Sequence, residues 1–243
     1  MLLLSDDASQ RADGRAPAFP EEERRYLVEA IRHVTSLALV EEADLPDALP
    51  SQHAAGPSIW AEREAEDTTV KRAFCAAAGL DYVIIGDAEL RGFPESATEE
   101  RARDRASRQK VLVTGCFDWL HSGHVRFFEE VAELGDLYAI VGNDRSVELL
   151  KGSGHPMYPE EERRYMVWSI RHVKQALVTS GMGWLDAEPE VELIRPDLWV
   201  VNEDGDRPEK REYCEAHGIE YRILRRRPRD GLPIRRSVDL RGF

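Results

Sequence analysis

The sequence predicts an α/β fold: a Rossmann-like parallel sheet with helices on both faces, duplicated, with the first copy truncated. Three observations carry this expectation. Short apolar runs alternate with helical patterns between Val111 and Leu224, the mark of βαβ units and so of a parallel sheet. A long segment of the chain occurs twice. The chain has 243 residues, 42% hydrophobic and 33% charged, enough for one large domain or two small ones with a buried core.

The elements run in order along the chain. VLVT at 111–114 is a short apolar run closed by Gly115 and reads as a strand. From His124 to Leu134 the apolar residues Val125, Phe127, Phe128, Val131 and Leu134 fall at helical spacing, and Gly135 stops the helix. LYAIVG at 137–142 reads as a buried strand. Pro159 and three glutamates start a helix, because proline fits a first turn and acids face the positive end of the dipole; the pattern runs to about Val173. Strands come next at 176–179, 198–201 and 221–224, with helices over 188–194 and 207–217. In such sheets ligands sit at the carboxyl ends of strands, near the switch in strand order.

The duplication is read from FPEEERRYLVEAIRHV at 19–34, which recurs as YPEEERRYMVWSIRHV at 158–173, an offset of 158 − 19 = 139. The offset persists without a gap: Trp60 falls on Trp199, Asp67 on Asp206, Lys71 on Lys210, Cys75 on Cys214, Gly79 on Gly218 and Tyr82 on Tyr221. With a two-residue gap, LLLSDD at 2–7 lies over IVGND at 140–144. Nothing in 1–94 matches VLVTGCFDWLHSGH, and ESATEERARDR stands where the later copy has IRRSVDLR. The expected organisation is a truncated, degenerate copy at 1–94, a charged linker at 95–109 and a complete unit at 110–243. A natural start upstream of Met1 is the alternative.

The net charge of −13 argues against a general nucleic-acid or membrane binder. Yet eight arginines lie between 222 and 241 (222, 225, 226, 227, 229, 235, 236 and 241). They form either a solvated basic tail or a patch that faces a polyanion such as a triphosphate. Three cysteines without metal-like spacing suggest a reducing compartment. The MLLL run is too short an apolar run for a signal peptide and no apolar stretch approaches membrane length, so a cytoplasmic location is expected.

His121 and His124 stand three apart around Gly123, where the first strand of the complete unit hands over to a helix. Unsatisfied amides and the dipole favour an anion there, and Gly115 and Gly123 permit close approach. Two imidazoles at this spacing point to one side and can donate to phosphate oxygens whose charge grows in a reaction. A metal pair is the first alternative, but no third ligand stands nearby. Ordinary surface or core histidines are the second; the preceding strand, the GCFD turn and the enclosed glycine weigh against it.

Gly115-Cys116-Phe117-Asp118-Trp119-Leu120-His121-Ser122-Gly123-His124 resembles the GxFDxxHxGH signature of the nucleotidyltransferase superfamily. In wording it is similar to the cytidylyltransferase and heptose-phosphate adenylyltransferase branches. The resemblance continues through Asn143-Asp144, LKGSGHP at 150–156, Arg163, IRHV at 170–173, Asp204 and Ser237-Val-Asp-Leu-Arg241, and so covers nearly all of 110–243. It implies transfer of AMP or CMP from a nucleoside triphosphate to a phosphorylated sugar, polyol or alcohol, with release of pyrophosphate. It implies His121, His124 and Lys151 as catalytic groups, with Lys151 in a glycine-flanked loop. Thr114, Gly115, Cys116, Phe117, Gly123, Asp204, Ser237 and Arg241 would bind nucleotide, Ser237 at the start of a final helix. Asp144 and Arg163 would meet the substrate phosphate; the alternative for Arg163 is an exposed helix arginine paired with a glutamate. Mg²⁺ would travel with the triphosphate, Asp118 would orient the turn, and no protein metal site is implied.

The sequence departs from the family wording at Asn202-Glu203-Asp204-Gly205, near the base in relatives, and at Arg235-Arg236 where hydroxyls are usual. ATP and CTP stay open: the LKGSGHP wording favours ATP, the tandem copies CTP. The first copy keeps Arg24 and the IRHV segment at 31–34 but has no HxGH. It is expected to be inactive and to serve as a built-in partner, giving an internal pseudo-dimer; a homodimer is the alternative. Three competing readings are weaker. A nucleotide-binding regulator without turnover would not need His121, His124, Lys151 and Arg241 together. An aminoacyl-tRNA synthetase fragment would show a lysine loop. A pantetheine- or nicotinamide-type adenylyltransferase would lack the GCFD and KGxGxP wording.

Overall fold

The computed structural model describes residues 2–5, 17–40, 59–90, 92–93 and 108–240. Arg241 and most of the expected linker lie outside the described residues. The chain divides into two compact units, one of Met1–Glu29 and Val34–Gly92, the other of Ala30–His33 and Phe93–Phe243.

The first unit contains β1 (Leu2–Ser5), α1 (Glu21–Glu29), β2 (Leu37–Val40), β3 (Ile59–Arg63), α2 (Thr69–Ala78) and β4 (Asp81–Ile85). β1 pairs in parallel with β2, and β3 with β4. The α2 helix starts on Thr68, whose hydroxyl accepts from the Lys71 amide, and stops at Gly79 with φ of 69°. A hydroxyl cap and a left-handed glycine are what an unsupported helix end requires.

The second unit holds β5 (Lys110–Gly115), α3 (Ser122–Leu134), β6 (Asp136–Val141), α4 (Asp144–Lys151), α5 (Glu160–Ser169), β7 (Val173–Val178), α6 (Glu188–Ile194), β8 (Leu198–Asn202), α7 (Pro208–His217) and β9 (Glu220–Leu224). The five strands are all parallel, in the order β7-β6-β5-β8-β9. The chain therefore reverses its direction of travel across the sheet between β5 and β8, the switch point that opens a crevice. Strand alternation turns Leu112, Tyr138, Ile140, Trp199 and Val201 to one face, where they pack with Val191 and Ile194 of α6 and Tyr213 and Cys214 of α7. Val111 and Val113 turn to the other face, which α3 covers, while α5 covers β6 and β7. Both faces are covered, as an all-parallel sheet requires.

Elements of the two units share bounds at the repeat offset. β3 and β8 differ by 198 − 59 = 139, and β4 and β9 by 220 − 81 = 139. The same side-chain triad closes each: Arg72 Nε and Tyr82 Oη donate to Asp67 Oδ1 at 2.9 and 3.1 Å, and Arg211 Nε and Tyr221 Oη to Asp206 Oδ1 at 2.8 and 3.1 Å.

Several boundaries differ from the sequence reading. The helix expected from Pro159 to Val173 ends at Ser169, because Ile170 turns extended and bridges Ile31 in antiparallel fashion. Arg32 N donates to Ser169 O and Arg171 N to Ala30 O, both at 2.8 Å. Arg32 Nη2 donates to Ile170 O at 3.3 Å and Arg171 Nη2 to Ile31 O at 3.1 Å. Each of these bonds has a reciprocal in which donor and acceptor are exchanged at the offset of 139, so the 30–33 segment and its repeat equivalent pair by the same contacts in both directions. Arg108 and Gln109, expected in the linker, instead cap the end of α3: Arg108 donates to Ala132 O and Glu133 O, and Gln109 Nε2 to Leu134 O.

Candidate active site

The site is built at the carboxyl ends of β5, β6 and β8. β5 ends at Gly115, and Phe117 lies in the left-handed region with φ of 50°, a conformation a bulky residue adopts only when packing enforces it. The Phe117 ring is buried against Phe128 and lies edge-on to His124, with centroids 5.3 and 5.5 Å apart. It folds back over Gly115, where a β-carbon would stand 2.8 Å from the ring. This accounts for the glycine at that position.

His121 is the N-cap of α3 and its Nδ1 accepts from the Gly123 amide at 3.1 Å. His124, at the third helical position, accepts at its Nδ1 from the His121 amide at 3.3 Å. The pair thus forms a capping box with imidazoles in place of the usual hydroxyl and carboxylate. Because each Nδ1 is an acceptor, each ring carries its proton on Nε2. The rings lie 4.0 Å apart at 30°. Burial holds the His124 pKa well below its ordinary value, and His121, Arg226 and Lys151 push it the same way. His124 is a neutral imidazole with an Nε2–H to donate. A β-carbon on Gly123 would come within 3.0 Å of the His121 ring.

Asp118 is buried and holds the loop after α4. His155 Nδ1 lies 2.9 Å from its Oδ2, and the Met157 and Tyr158 amides donate to Oδ1 at 2.6 and 3.3 Å. Burial pushes this carboxyl up, but those hydrogen bonds hold it below the usual range. Arg163 is buried at 1% exposure. It donates to Tyr158 O at 2.9 Å, Cys116 O at 2.7 Å and Asp144 Oδ1 at 2.7 Å. Its donors tie the GCFD turn to the start of α4, so it is neither an exposed helix arginine nor paired with a glutamate. Burial pushes the Cys116 thiol up, which keeps it protonated and a poor nucleophile.

A cleft of about 830 Å³ opens above these elements. Thr114, Gly115, Cys116, Phe117, Asp118, His124, Lys151, Asp204 and Ser237 line it. His121, Gly123, Asp144 and Arg163 are not among its lining residues; His121 and Arg163 are buried. Lys151 is the last residue of α4, not part of a loop, because Gly152 ends that helix with φ of 89°. Ser237 opens a short 3-10 turn, Ser237–Leu240, rather than an α-helix. Asp204 pairs with Arg226 at 2.5 Å. Two members of the basic tail, Arg226 and Arg236, face the cleft.

The sequence reading did not single out Trp184, Asp186, Arg207 or Lys210, all of which line the same cleft. Lys210 Nζ donates to Thr114 Oγ1 at 2.9 Å across 96 residues. Its only sequence trace is the repeat-equivalent Lys71, whose Nζ instead pairs with Glu62 at 2.8 Å. Among the described residues no group of three His, Cys, Asp or Glu is arranged to hold a metal ion, and no described helix is long and apolar enough to cross a membrane.

Residues 112–222 match the family described as Cytidylyltransferase-like. The chain is 39% identical over 119 residues to the FAD synthase of Aciduliprofundum boonei, a match that covers 48% of this chain and 76% of the relative. It is 35% identical over 135 residues to the FAD synthase of Ferroglobus placidus, covering 54% and 85%. It is also 36% identical over 132 residues to the bifunctional protein HldE of Vibrio atlanticus, covering 54% of this chain but 21% of that longer protein.

Proposed function

Because this chain belongs to the cytidylyltransferase-like family of nucleotidyltransferases, we propose that it transfers AMP or CMP from a nucleoside triphosphate to the phosphate of a sugar, polyol or alcohol phosphate. An oxygen of the acceptor phosphate attacks the α-phosphorus, the new P–O bond forms in line with the bond to pyrophosphate, and pyrophosphate leaves. The observation that carries this reading is the capping box of His121 and His124, which fixes His124 in the cleft lining with its Nε2–H free of the backbone at a helix N-terminus, where an anion is favoured. Lys151, Arg226 and Arg236 supply the positive charge that a triphosphate needs. Burial pushes the Cys116 thiol up, which disfavours it as a nucleophile, and the reading is of direct transfer by positioning and charge stabilisation. Asp118 and Arg163 keep the turn and the neighbouring loop in register.

Mg²⁺ fits this site as a passenger of the triphosphate rather than a resident. The carboxyl of Asp118 is spent on His155, Met157 and Tyr158, so the ion's ligands would be phosphate oxygens and water. When bound it would neutralise charge on the leaving pyrophosphate. The name FAD synthase supports the reading, since FAD joins AMP to the phosphate of a polyol chain.

The first unit fits the role of a degenerate copy, on the element bounds it shares with the second unit and on the matching Asp67 and Asp206 triads. The test of the main reading is pyrophosphate release with Mg²⁺, scanning ATP, CTP, GTP and UTP against phosphorylated sugars, polyols and alcohols. Release with one nucleotide that His124→Ala abolishes is the expected result. Tight nucleotide binding with no release from any pair would make the chain a regulator.

A further inference from the structure

The repeat places two versions of one arrangement in the same chain. Lys210 stands at the third position of α7, after β8, and its equivalent Lys71 at the third position of α2, after β3. In the first unit Lys71 Nζ donates to Glu62 Oε2 and to Glu66 O, both at 2.8 Å. Trp60 Nε1 donates to the same Glu62 oxygen at 3.4 Å. At the offset of 139, Trp60 falls on Trp199 and Glu62 on Val201. One carboxylate serves both donors in the first unit, and a valine takes its position in the second.

The strand register around the two lysines is the same: Glu62 pairs with Ile84 and Val201 with Ile223. What meets the donors differs. Lys210 Nζ donates to Thr114 Oγ1 at 2.9 Å, lies 5.7 Å from the Trp199 ring centroid, and stands in no ion pair among the described residues. Trp199 is 1% exposed, and its Nε1 has no hydrogen-bond partner among the described residues. Val201 and Lys210 both line the cleft. The cation that the first unit neutralises internally is therefore turned to the cleft in the second.

The charges around Lys210 do not replace that carboxylate. Asp186 attracts it, but accepts from Thr179 Oγ1 at 3.1 Å, and burial pushes the Asp186 carboxyl up toward the neutral form. Arg207 repels it; Asp206 attracts it but is bound to Arg211 and Tyr221. Burial pushes the Lys210 pKa down further than these carboxylates draw it back. Glu203, also in the lining, accepts from the Arg226 amide at 2.7 Å, and Asp204 pairs with Arg226 at 2.5 Å. A half-buried ammonium whose one hydrogen-bond acceptor is a neutral hydroxyl is stabilised by an anion brought in with a ligand, and it meets phosphate as a point charge.

We propose that Lys210 binds a phosphate group of the ligand, an oxygen of which takes the place beside this ammonium that the Glu62 carboxylate holds beside Lys71. The proposal deepens the nucleotidyl-transfer reading and rests on it for the role of the cleft. The phosphate belongs to the nucleotide or to the acceptor ester, and binding by variants tells the two apart.

The test is equilibrium binding to the full chain of ATP, CTP, glycerol 3-phosphate and a hexose phosphate, with adenosine and cytidine as phosphate-free controls. Lys210→Met keeps the stem against Trp199 and removes the charge. Val201→Glu rebuilds the pairing of the first unit, and Val201→Gln has the same size without the charge. Lys210→Met and Val201→Glu should each weaken phosphate ligands by roughly tenfold to a hundredfold, the worth of one charge-assisted hydrogen bond. Nucleoside binding should stay as it is, and Val201→Gln should cost less. Loss confined to the triphosphates assigns the phosphate to the nucleotide, loss confined to the esters assigns it to the acceptor, and loss in both supports contact with both. Native affinities in Lys210→Met would overturn the proposal, as would equal losses in the two Val201 variants, an equal loss for the nucleosides, or a native chain that binds no phosphate ligand. If Val201→Glu does not fold, Lys210→Met decides. Pyrophosphate release separates this proposal from the transfer reading. Phosphate binding that needs Lys210, without release from any pair, supports the proposal and sinks the transfer; release with binding indifferent to Lys210 does the reverse.

Discussion

At the scale of single residues, the protonation of His124 matters most. Its Nδ1 accepts a backbone hydrogen bond and burial keeps it neutral, so the donor offered to phosphate is Nε2–H. Replacing it with alanine is expected to lower kcat about a hundredfold to a thousandfold, the usual cost of one lost donor at a developing anion, read by pyrophosphate release. The same group gives a pH effect with a definite sign. In the unfolded chain this histidine titrates near its ordinary value of 6.5, while in the fold its pKa lies well below. Well above 6.5 both states are neutral and the group contributes nothing. As pH falls through that value the unfolded chain gains a proton that the fold refuses, so stability falls with acidification. Thermal unfolding at about pH 7.5 and about pH 5.5, on either side of the ordinary histidine pKa, should show a larger loss for the native chain than for His124→Asn; equal losses would refute the assignment. None of this was visible in the letters HxGH alone, which give the spacing but not the direction in which each ring is bonded. Lys210 was less legible still, since its meaning depends on Thr114, which is 96 residues away.

At the scale of elements, most of the second unit could be read directly. Apolar runs at 111–114 and 137–142 became the buried strands β5 and β6, because β-branched and aromatic side chains lie on both of their faces. The α4 helix was not anticipated. It is eight residues long and turns Leu149 outward at 66% exposure, so its apolar pattern is weak. Its N-cap is Asn143, whose side chain accepts from the Ser146 amide and donates to Thr179 and Gly181 carbonyls; these long-range bonds leave no local trace. Gly135, by contrast, is legible in the sequence as a helix stop, and its surroundings are tighter than a stop alone requires. A β-carbon there would stand 2.3 Å from Gln109 O. Gly135→Ala is expected to cost about 1–3 kcal/mol of stability, measured by urea unfolding. Asp118→Asn should weaken the hold on the 155–158 loop and raise KM more than it lowers kcat; an unchanged KM would show that the loop needs no such anchor.

At the scale of the whole molecule, the repeat is the feature on which sequence and structure bear together. The offset of 139 recurs in strand bounds, in the Asp67 and Asp206 triads, and in the reciprocal bonds at Ile31 and Ile170. The shortened α5 could not be read from its own sequence, because Ile170, which ends it, bridges Ile31, 139 residues earlier. Within the second unit, Arg32 donates to Ile170 and Val173 carbonyls and lies 4.2 Å over the Trp168 ring. Arg32→Ala is expected to destabilise the chain by about 1–3 kcal/mol, read from the urea midpoint. The decisive question is which bond the second unit makes, and label transfer answers it. With nucleotide labelled at the α-phosphorus, the label should appear in the product ester, while label at the γ-phosphorus should leave as pyrophosphate. Label from the γ position in the acceptor, or α-label bound to the protein, would exclude direct nucleotidyl transfer.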